Sequence, residues 1–213
     1  MITPITLNGN TVSLVSFPST PGLRSVEFSF TDSVAIVTSI FTGQVQAQQW
    51  VGGDMWTGTA TLPPLTQPQA DRWIAFLMEL RGMLNPFQLG DPLKPVPRGS
   101  GKGVPVVDTA NNFAGAQVLL TRGWPVSSWR LLMDGDYIQV GYRLHRVINP
   151  VNSDAAGKAS IAIWPSLREA PANGQAIILS NPKGLFRLAQ NKRSWSTDVN
   201  RYSSISFQIQ EYR

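Results

Sequence analysis

The segment Ile205-Ser206-Phe207-Gln208-Ile209-Gln210 lies close to the C-terminus of a chain of 213 residues and indicates how the chain is organised. Its apolar and polar residues alternate strictly, which is the period of a β-strand with one buried face and one wet face. Residues 185–189 predict a partner strand, but two strands cannot fold alone. We therefore expect both to join the sheet formed by the N-terminal residues, so that much of the chain between the two regions is an insertion.

The first eighty residues predict several strands followed by a single helix. Residues 26–30 alternate between apolar and polar, and residues 34–41 are β-branched and mostly apolar. Residues 44–50 and 55–62 are expected to pair with each other as a hairpin, because the turn sequence at 52–54 separates them.

One helix is predicted after this strand region. Thr66 and Gln69 have the spacing of a capping box, Pro68 lies in the first turn, and Gly82 provides the C-terminal stop. Apolar residues at helical spacing predict a face that packs against a core: Ala70, Trp73, Ile74, Leu77, Met78 and Leu80.

The insertion is predicted to be a small closed or half-closed β-barrel. It lies between a segment rich in Pro and Gly at 95–103 and a second turn sequence at 181–184. The fold class is therefore mainly β, with residues 1–98 and 184–213 forming a discontinuous, sandwich-like domain and residues 99–183 forming the barrel. Its candidate strands are short and lack a helical period: residues 117–121, 137–140, 143–148, 159–164 and 176–179.

The composition is poor in charge. Charged residues make up 15% of the chain, against about 25% in an ordinary domain. The 18 basic residues are 13 Arg and 5 Lys, and there are seven Trp. The net charge is −3 over residues 1–80 and +8 over residues 81–213. Because buried interfaces favour Arg and Trp and exclude Lys and Glu, the composition fits a subunit of an assembly, as well as a well-packed β protein.

The chain offers little for catalysis or for cofactors. It has no Cys, and its single histidine, His145, lies between basic neighbours without a carboxylate to orient it. Residues 98–103 lack the spacing of a phosphate-binding loop, and Asp134-Gly135-Asp136 is a hairpin signal before it is a metal loop. No apolar run approaches the ~18 residues of a membrane span, and no secretion signal is expected. We expect no enzyme activity, no cofactor and no metal.

Aromatic and basic residues mix within the predicted barrel. They could bind single-stranded nucleic acid, by stacking and phosphate attraction, or sugars. The alternative is that Trp124, Trp129 and Trp164 fill the barrel or cover its ends. The candidate barrel-surface residues are Trp124, Trp129, Arg130 and Arg143.

The order of these features resembles the distal tail proteins of long-tailed (siphovirus-type) bacteriophages. The likeness is closest to the short form with an inserted barrel similar to the oligonucleotide/oligosaccharide-binding (OB) fold. The motifs that carry the resemblance are Trp56, Pro63-Pro64, Ala70-Asp71-Arg72-Trp73-Ile74-Ala75-Phe76-Leu77, Leu80-Arg81-Gly82, Phe87-Gln88-Leu89-Gly90-Asp91-Pro92 and Glu211.

This resemblance implies a structural virion protein made in the host cytoplasm and built into the tail tip. It implies a homohexameric ring that connects the tail tube to the baseplate or central fibre and lets DNA pass through its lumen. The implied partners are further copies of the chain, the tail tube protein and the tail-tip or baseplate hub protein, with no membrane insertion and no catalytic residues.

Because a head-to-tail ring mates two different faces of one subunit, opposite charges are expected to meet across subunits. The candidate interface residues are Arg193 and Arg201, as partners of Asp32 or Asp54. The alternative function is a monomeric module that binds carbohydrate or single-stranded nucleic acid through the barrel.

Overall fold

A computed structural model describes residues 2–7, 9–50, 52–108, 112–192, 194–197 and 202–213. The chain is mainly β, as the sequence predicted, with a single helix among the residues described. In chain order the elements are β1 (Ile2–Leu7), β2 (Asn10–Val15), β3 (Ser25–Thr31), β4 (Val34–Thr38), β5 (Val45–Gln49), β6 (Met55–Thr61), β7 (Leu65–Thr66), α1 (Gln67–Glu79), β8 (Phe87–Leu89), β9 (Val106–Val107), β10 (Val118–Arg122), β11 (Tyr137–Val140), β12 (Arg143–Val147), β13 (Lys158–Trp164), β14 (Ile177–Ile178), β15 (Gly184–Leu188), β16 (Ser196–Thr197), β17 (Tyr202–Ser204) and β18 (Ser206–Glu211).

Two compact units share the chain. The first consists of Met1–Ser29, Trp56–Leu93 and Lys183–Arg213, and the second of Phe30–Met55 and Lys94–Pro182. The second unit thus contains the predicted insertion and, in addition, a segment that the sequence assigned to the first domain. That segment, residues 30–55, makes its contacts with the second unit because its ends bond to strand β13 and to the residues that follow it.

The first unit is built on a seven-stranded sheet in the order β1-β2-β8-β15-β18-β6-β3. The C-terminal strand β18 lies between β15 and β6, with Phe207 opposite Ala60 and Ile209 opposite Gly58. This confirms the predicted return of the chain end to the N-terminal sheet. The alternation in β18 is also confirmed, since Phe207 and Ile209 are buried while Ser206 and Gln208 are exposed.

The helix α1 begins with the predicted capping box. The Thr66 backbone N–H donates to Gln69 Oε1 at 3.0 Å, and a Pro occupies the first turn. The predicted apolar face was partly wrong, because Met78 is 62% exposed while the omitted Phe76 is buried. The buried face of α1 is therefore rotated about the helix axis relative to the prediction. The reason is that Phe76 packs against the ring of Phe87 on the sheet, with 5.5 Å between ring centroids.

The hairpin predicted between residues 44–50 and 55–62 does not form. Strand β5 pairs with β4 instead, and β6 pairs with β18 in the sheet of the first unit. Sequence alternation identified the strands, but the same pattern fits any antiparallel neighbour, so it could not choose the partner.

The second unit contains a six-stranded sheet in the order β14-β11-β12-β13-β10-β9. A bridge between Val106 and Ala176 links its two ends, and the Val107 N–H donates to the Gln175 carbonyl at 2.9 Å. The sheet is therefore nearly closed into the predicted barrel, and the five predicted strands are all present within two residues of their expected bounds. Its interior is filled by a cluster of buried apolar side chains, including Leu119, Ile138 and Ile161.

The segment rich in Pro and Gly at 95–103 has the composition of a linker. In the structure its backbone is bonded to the barrel, because the N–H groups of Ser100 and Gly101 donate to the carbonyls of Arg130 and Leu131. A Cβ at Gly99 would lie 2.3 Å from the Leu131 carbonyl oxygen, so this glycine permits a close approach of two backbones. Over the part of the chain that is described, no helix is long and apolar enough to cross a membrane.

Candidate functional site

The most unusual surface of the second unit is a two-stranded hairpin, residues 33–50, which we call the arm. Its strands β4 and β5 pair from Val34 opposite Gln49 to Thr38 opposite Val45. The turn between them is closed because the Ser39 N–H donates to the Gln44 carbonyl and the Gly43 N–H donates to the Ser39 carbonyl, both at 2.9 Å.

The arm is exposed on both faces. Every residue of β4 and β5 is exposed, and Ile40 and Phe41 in the turn are 90% and 91% exposed. Residues 33–50 contain no charged side chain. The apolar side chains that face solvent are Val34, Ile36, Val37, Ile40, Phe41, Val45 and Trp50.

A buried ion pair fixes the C-terminal base of the arm. The carboxylate of Asp54 accepts hydrogen bonds from Arg168 Nη1 at 3.0 Å and from the hydroxyl of Ser166 at 2.8 Å. The same guanidinium nitrogen donates to the Gly52 carbonyl at 3.0 Å. The side chains of Asp54 and Arg168 are only 5% and 7% exposed, so both charges are withdrawn from water.

The surroundings of Asp54 keep it ionised. Burial by itself raises the pKa of this carboxyl, but hydrogen bonds from the backbone and side chain of Ser166, together with the charge of Arg168, outweigh burial. The pKa of Asp54 therefore lies below its ordinary value of 3.8. The ion pair is complete at neutral pH.

The N-terminal base of the arm is fixed by contacts to Trp164 of strand β13. The indole Nε1 donates to Asp32 Oδ1 at 2.8 Å, and the ring of Phe30 meets the indole edge-on, with 5.4 Å between ring centroids. Together with the Asp54 pair, these contacts explain why residues 30–55 belong to the second unit.

The sequence proposed Asp32 and Asp54 as interface residues, with Arg193 and Arg201 as their partners across subunits. Arg193 and Arg201 lie outside the described residues. Asp32 accepts from Trp164, and the ion partner of Asp54 is Arg168 of the same chain. Both carboxylates thus serve to hold the arm, while the arm itself was not selected from the sequence. The signal that could have identified it is the combination of apolar residues with a complete lack of charge.

A second apolar surface lies on the first unit beside α1. The helix exposes Met78, and Trp195 is 47% exposed on the segment that follows β15. Between them is a groove of about 240 Å³, lined by Ile74, Leu77, Met78, Gly82, Asn191 and Trp195.

The four candidate barrel-surface residues divide into two pairs. Trp124 is buried, with its Nε1 donating to Thr121 Oγ1 at 2.7 Å, and Arg143 is buried and paired with Glu169 at 3.2 Å. Their proposed surface role is wrong, because Trp124 fills the core and a carboxylate neutralises Arg143. Trp129 is 79% exposed and Arg130 is also exposed.

The remaining polar candidates have structural partners. His145 is buried in strand β12, with its Nδ1 2.7 Å from the Pro165 carbonyl oxygen. Asp136 accepts hydrogen bonds from the backbone N–H groups of Arg98 at 2.9 Å and Met133 at 2.8 Å, so it organises the turn at 134–136. No group of three or more acidic or histidine side chains that could hold a metal ion occurs within the described ranges.

Neither a protein-family model nor a curated protein matches this sequence. The arm, the groove beside α1 and the exposed Trp129 are therefore the features on which a function can be argued.

Proposed function

We propose that the chain is a structural subunit that assembles with copies of itself, and that the arm of one copy packs on the next. The observation that carries the proposal is the exposure of an uncharged, apolar hairpin on both of its faces. An isolated two-stranded hairpin is marginal in water, and an apolar strand edge without charges invites pairing with another chain. A partner that covers the arm resolves both problems.

The apolar area of the arm supports this assignment. Taking roughly 100 Å² for an aliphatic and roughly 200 Å² for an aromatic side chain, its exposed apolar residues present roughly 650 Å². That total, taken over both faces of the arm, is comparable to the largest apolar patch of a typical monomer, about 300–600 Å². It approaches the roughly 800 Å² that each partner contributes to a stable interface. The exposed apolar area of the arm is therefore close to the area that one partner contributes to a stable interface.

A second copy is the partner that the chain itself supplies. The apolar groove beside α1 has room for one or two large side chains, and Ile40 and Phe41 in the turn of the arm are the most exposed apolar residues of that hairpin. Arm and groove are different surfaces, so their contact is head-to-tail and produces a ring when the rotation closes.

The resemblance to distal tail proteins adds a location and partners to the proposed ring. In this proposal, the ring is homohexameric and lies at the phage tail tip, between the tail tube protein and the baseplate or hub protein. DNA passes through its lumen, and the chain performs no catalysis. The low charge and the excess of Arg over Lys are consistent with surfaces that stay buried in an assembly.

The test uses the purified full chain, examined by native mass spectrometry and negative-stain imaging. We expect closed rings. Because the chain has no Cys, Phe41→Cys and Met78→Cys introduce the only thiols, and a mixture of the two variants should form a disulfide-linked pair under mild oxidation. Leu93→Cys, at a residue that is 89% exposed, is the control for Met78→Cys.

The outcomes are distinct. A chain that is monomeric at all concentrations contradicts the proposed assembly. Rings that form without cross-links between positions 41 and 78 contradict the groove as the receiving surface. Equal cross-linking with Leu93→Cys shows that the disulfide reports only random collisions.

A further inference from the structure

The loop at residues 125–130, which we call the Trp129 loop, is held rigidly at the surface of the barrel. Its two ends are anchored in the core, by Trp124 on one side and by the fully buried Leu131 on the other. The Trp124 N–H donates to the Gly157 carbonyl at 3.1 Å, and the Leu131 N–H donates to the Val151 carbonyl at 2.9 Å. The loop therefore starts and ends at fixed points.

Hydrogen bonds to the neighbouring segment 152–154 fix the loop between these points. The N–H of Ser127 donates to the Asp154 carbonyl at 2.8 Å, and the N–H of Arg130 donates to Asn152 Oδ1 at 2.7 Å. Between them, the Ser128 N–H donates to Ser153 Oγ at 2.9 Å. A segment with this density of bonds loses little conformational entropy when a ligand binds.

The backbone on both sides of Trp129 is strained. Ser127 has φ 48° and Arg130 has φ 52°, in the left-handed region that favours glycine. Such conformations are costly and cluster at binding sites, where the surrounding structure imposes them. Between these two strained residues, Trp129 is 79% exposed. Val126, in the same loop, is 65% exposed. An exposed indole on a strained, rigid loop does not serve the stability of the barrel.

We propose that Trp129 is the stacking platform of a saccharide-binding site on the second unit. The face of an indole ring carries partial negative charge, which attracts the C–H groups on the flat side of a pyranose ring. Arg130 follows Trp129 in the loop, and Asn152 is hydrogen-bonded to the Arg130 backbone; both side chains are exposed and could supply hydrogen-bonding groups for sugar hydroxyls.

The charges in the Trp129 loop favour a sugar over a nucleic acid. A strand of phosphates needs a track of cations available beside the stacking ring. Within the described part of the chain, four of the nine basic residues of the second unit form ion pairs with carboxylates: Arg98, Arg143, Lys158 and Arg168. Arg130 alone lies next to Trp129 in the loop. A neutral polyhydroxylated ligand needs no such track.

The experiment applies the full chain to a microarray of bacterial surface polysaccharides, and measures the best-bound glycan by isothermal titration calorimetry. Aromatic stacking changes affinity by roughly tenfold to a hundredfold when the ring is replaced by Ala. We expect a loss of at least tenfold for Trp129→Ala, with part of the affinity retained by Trp129→Tyr. Phe113→Ala, at a 63% exposed aromatic residue of the second unit outside the Trp129 loop, is the matched control and should bind as the wild type.

Three results overturn the inference. One is an array on which no glycan gives a signal that Trp129→Ala removes. Another is salt-dependent binding of a thymidine 20-mer through Trp129 without glycan binding. The last is a change of oligomeric state in Trp129→Ala, which would make the residue a subunit contact. The Trp129 loop and the arm share no residues, so failure of the saccharide test and failure of the assembly test can be distinguished.

Discussion

Replacing both apolar residues at the turn of the arm, as Ile40→Ser together with Phe41→Ser, separates assembly from folding. These side chains are 90% and 91% exposed, so within one chain they bury almost nothing. Exposed substitutions of this kind change the free energy of unfolding by less than about 0.5 kcal/mol. The double variant is therefore expected to melt at the temperature of the dissociated wild-type chain, because assembly itself raises the melting temperature of the ring.

The effect on assembly should be large. Burying one such side chain in an interface contributes about 1.5–3 kcal/mol, so the pair contributes about 3–6 kcal/mol. At 1.4 kcal/mol per factor of ten, the dissociation constant of each contact should rise between about a hundredfold and ten-thousandfold. A ring that forms at micromolar concentration would then be dissociated under the same conditions.

The assay is sedimentation velocity across a concentration series, with thermal unfolding followed by circular dichroism on the same samples. Leu93→Ser together with Val104→Ser is the control, because these residues are 89% and 78% exposed and lie outside the arm. The control should assemble as the wild type. Normal assembly of the arm variant, with unchanged melting, would refute the role of the arm.

Three further predictions concern the elements that hold the surfaces in place. Asp54→Asn removes the carboxylate that pairs with the buried Arg168, and urea unfolding should show a loss of about 3 kcal/mol; an unchanged midpoint would contradict the contribution of this ion pair. Because the pKa of Asp54 is lowered from 3.8, its contribution is present at neutral pH and is lost as the pH falls below about 4. The stability difference between wild type and Asp54→Asn should therefore shrink in acid, and a difference independent of pH down to about 2 would refute this. Gly58→Ala places a Cβ 2.3 Å from the Glu27 carbonyl oxygen and should cost about 2 kcal/mol in thermal unfolding, whereas Gly22→Ala meets nothing within 4 Å and should cost little.

Short sequence patterns predicted some local elements of the fold but not the orientation of the helix. Alternation in β18, the capping box of α1 and the short strands of the barrel all depend on neighbours within a few positions, and each was predictable. The rotation of α1 was not, because Phe76 is turned inward by Phe87 of the sheet. A periodic pattern fixes the width of an apolar face, but the shape of the opposing surface selects its orientation.

The candidate surfaces depended still more on contacts between distant residues. Trp124 and Trp129 lie five positions apart, and no sequence pattern distinguishes their burial. In the structure Trp124 lies in the core, whereas Trp129 is exposed on a loop that is hydrogen-bonded to segment 152–154. No local pattern predicts that Asp54 pairs with Arg168, because the two residues are 114 positions apart in the sequence. Burial and ion pairing are properties of the folded chain.

A mainly β chain, with a last strand that returns to the first sheet and a small barrel in the middle, was predictable from the amino-acid sequence. Hydrophobic periodicity encodes these features directly, since apolar residues must face a core wherever they are placed. The choice of strand partners, the exposure of the uncharged arm at residues 33–50 and the exposure of Trp129 depend on the folded chain. The physical reason is that a strand pattern is compatible with many partners, and long-range packing selects among them.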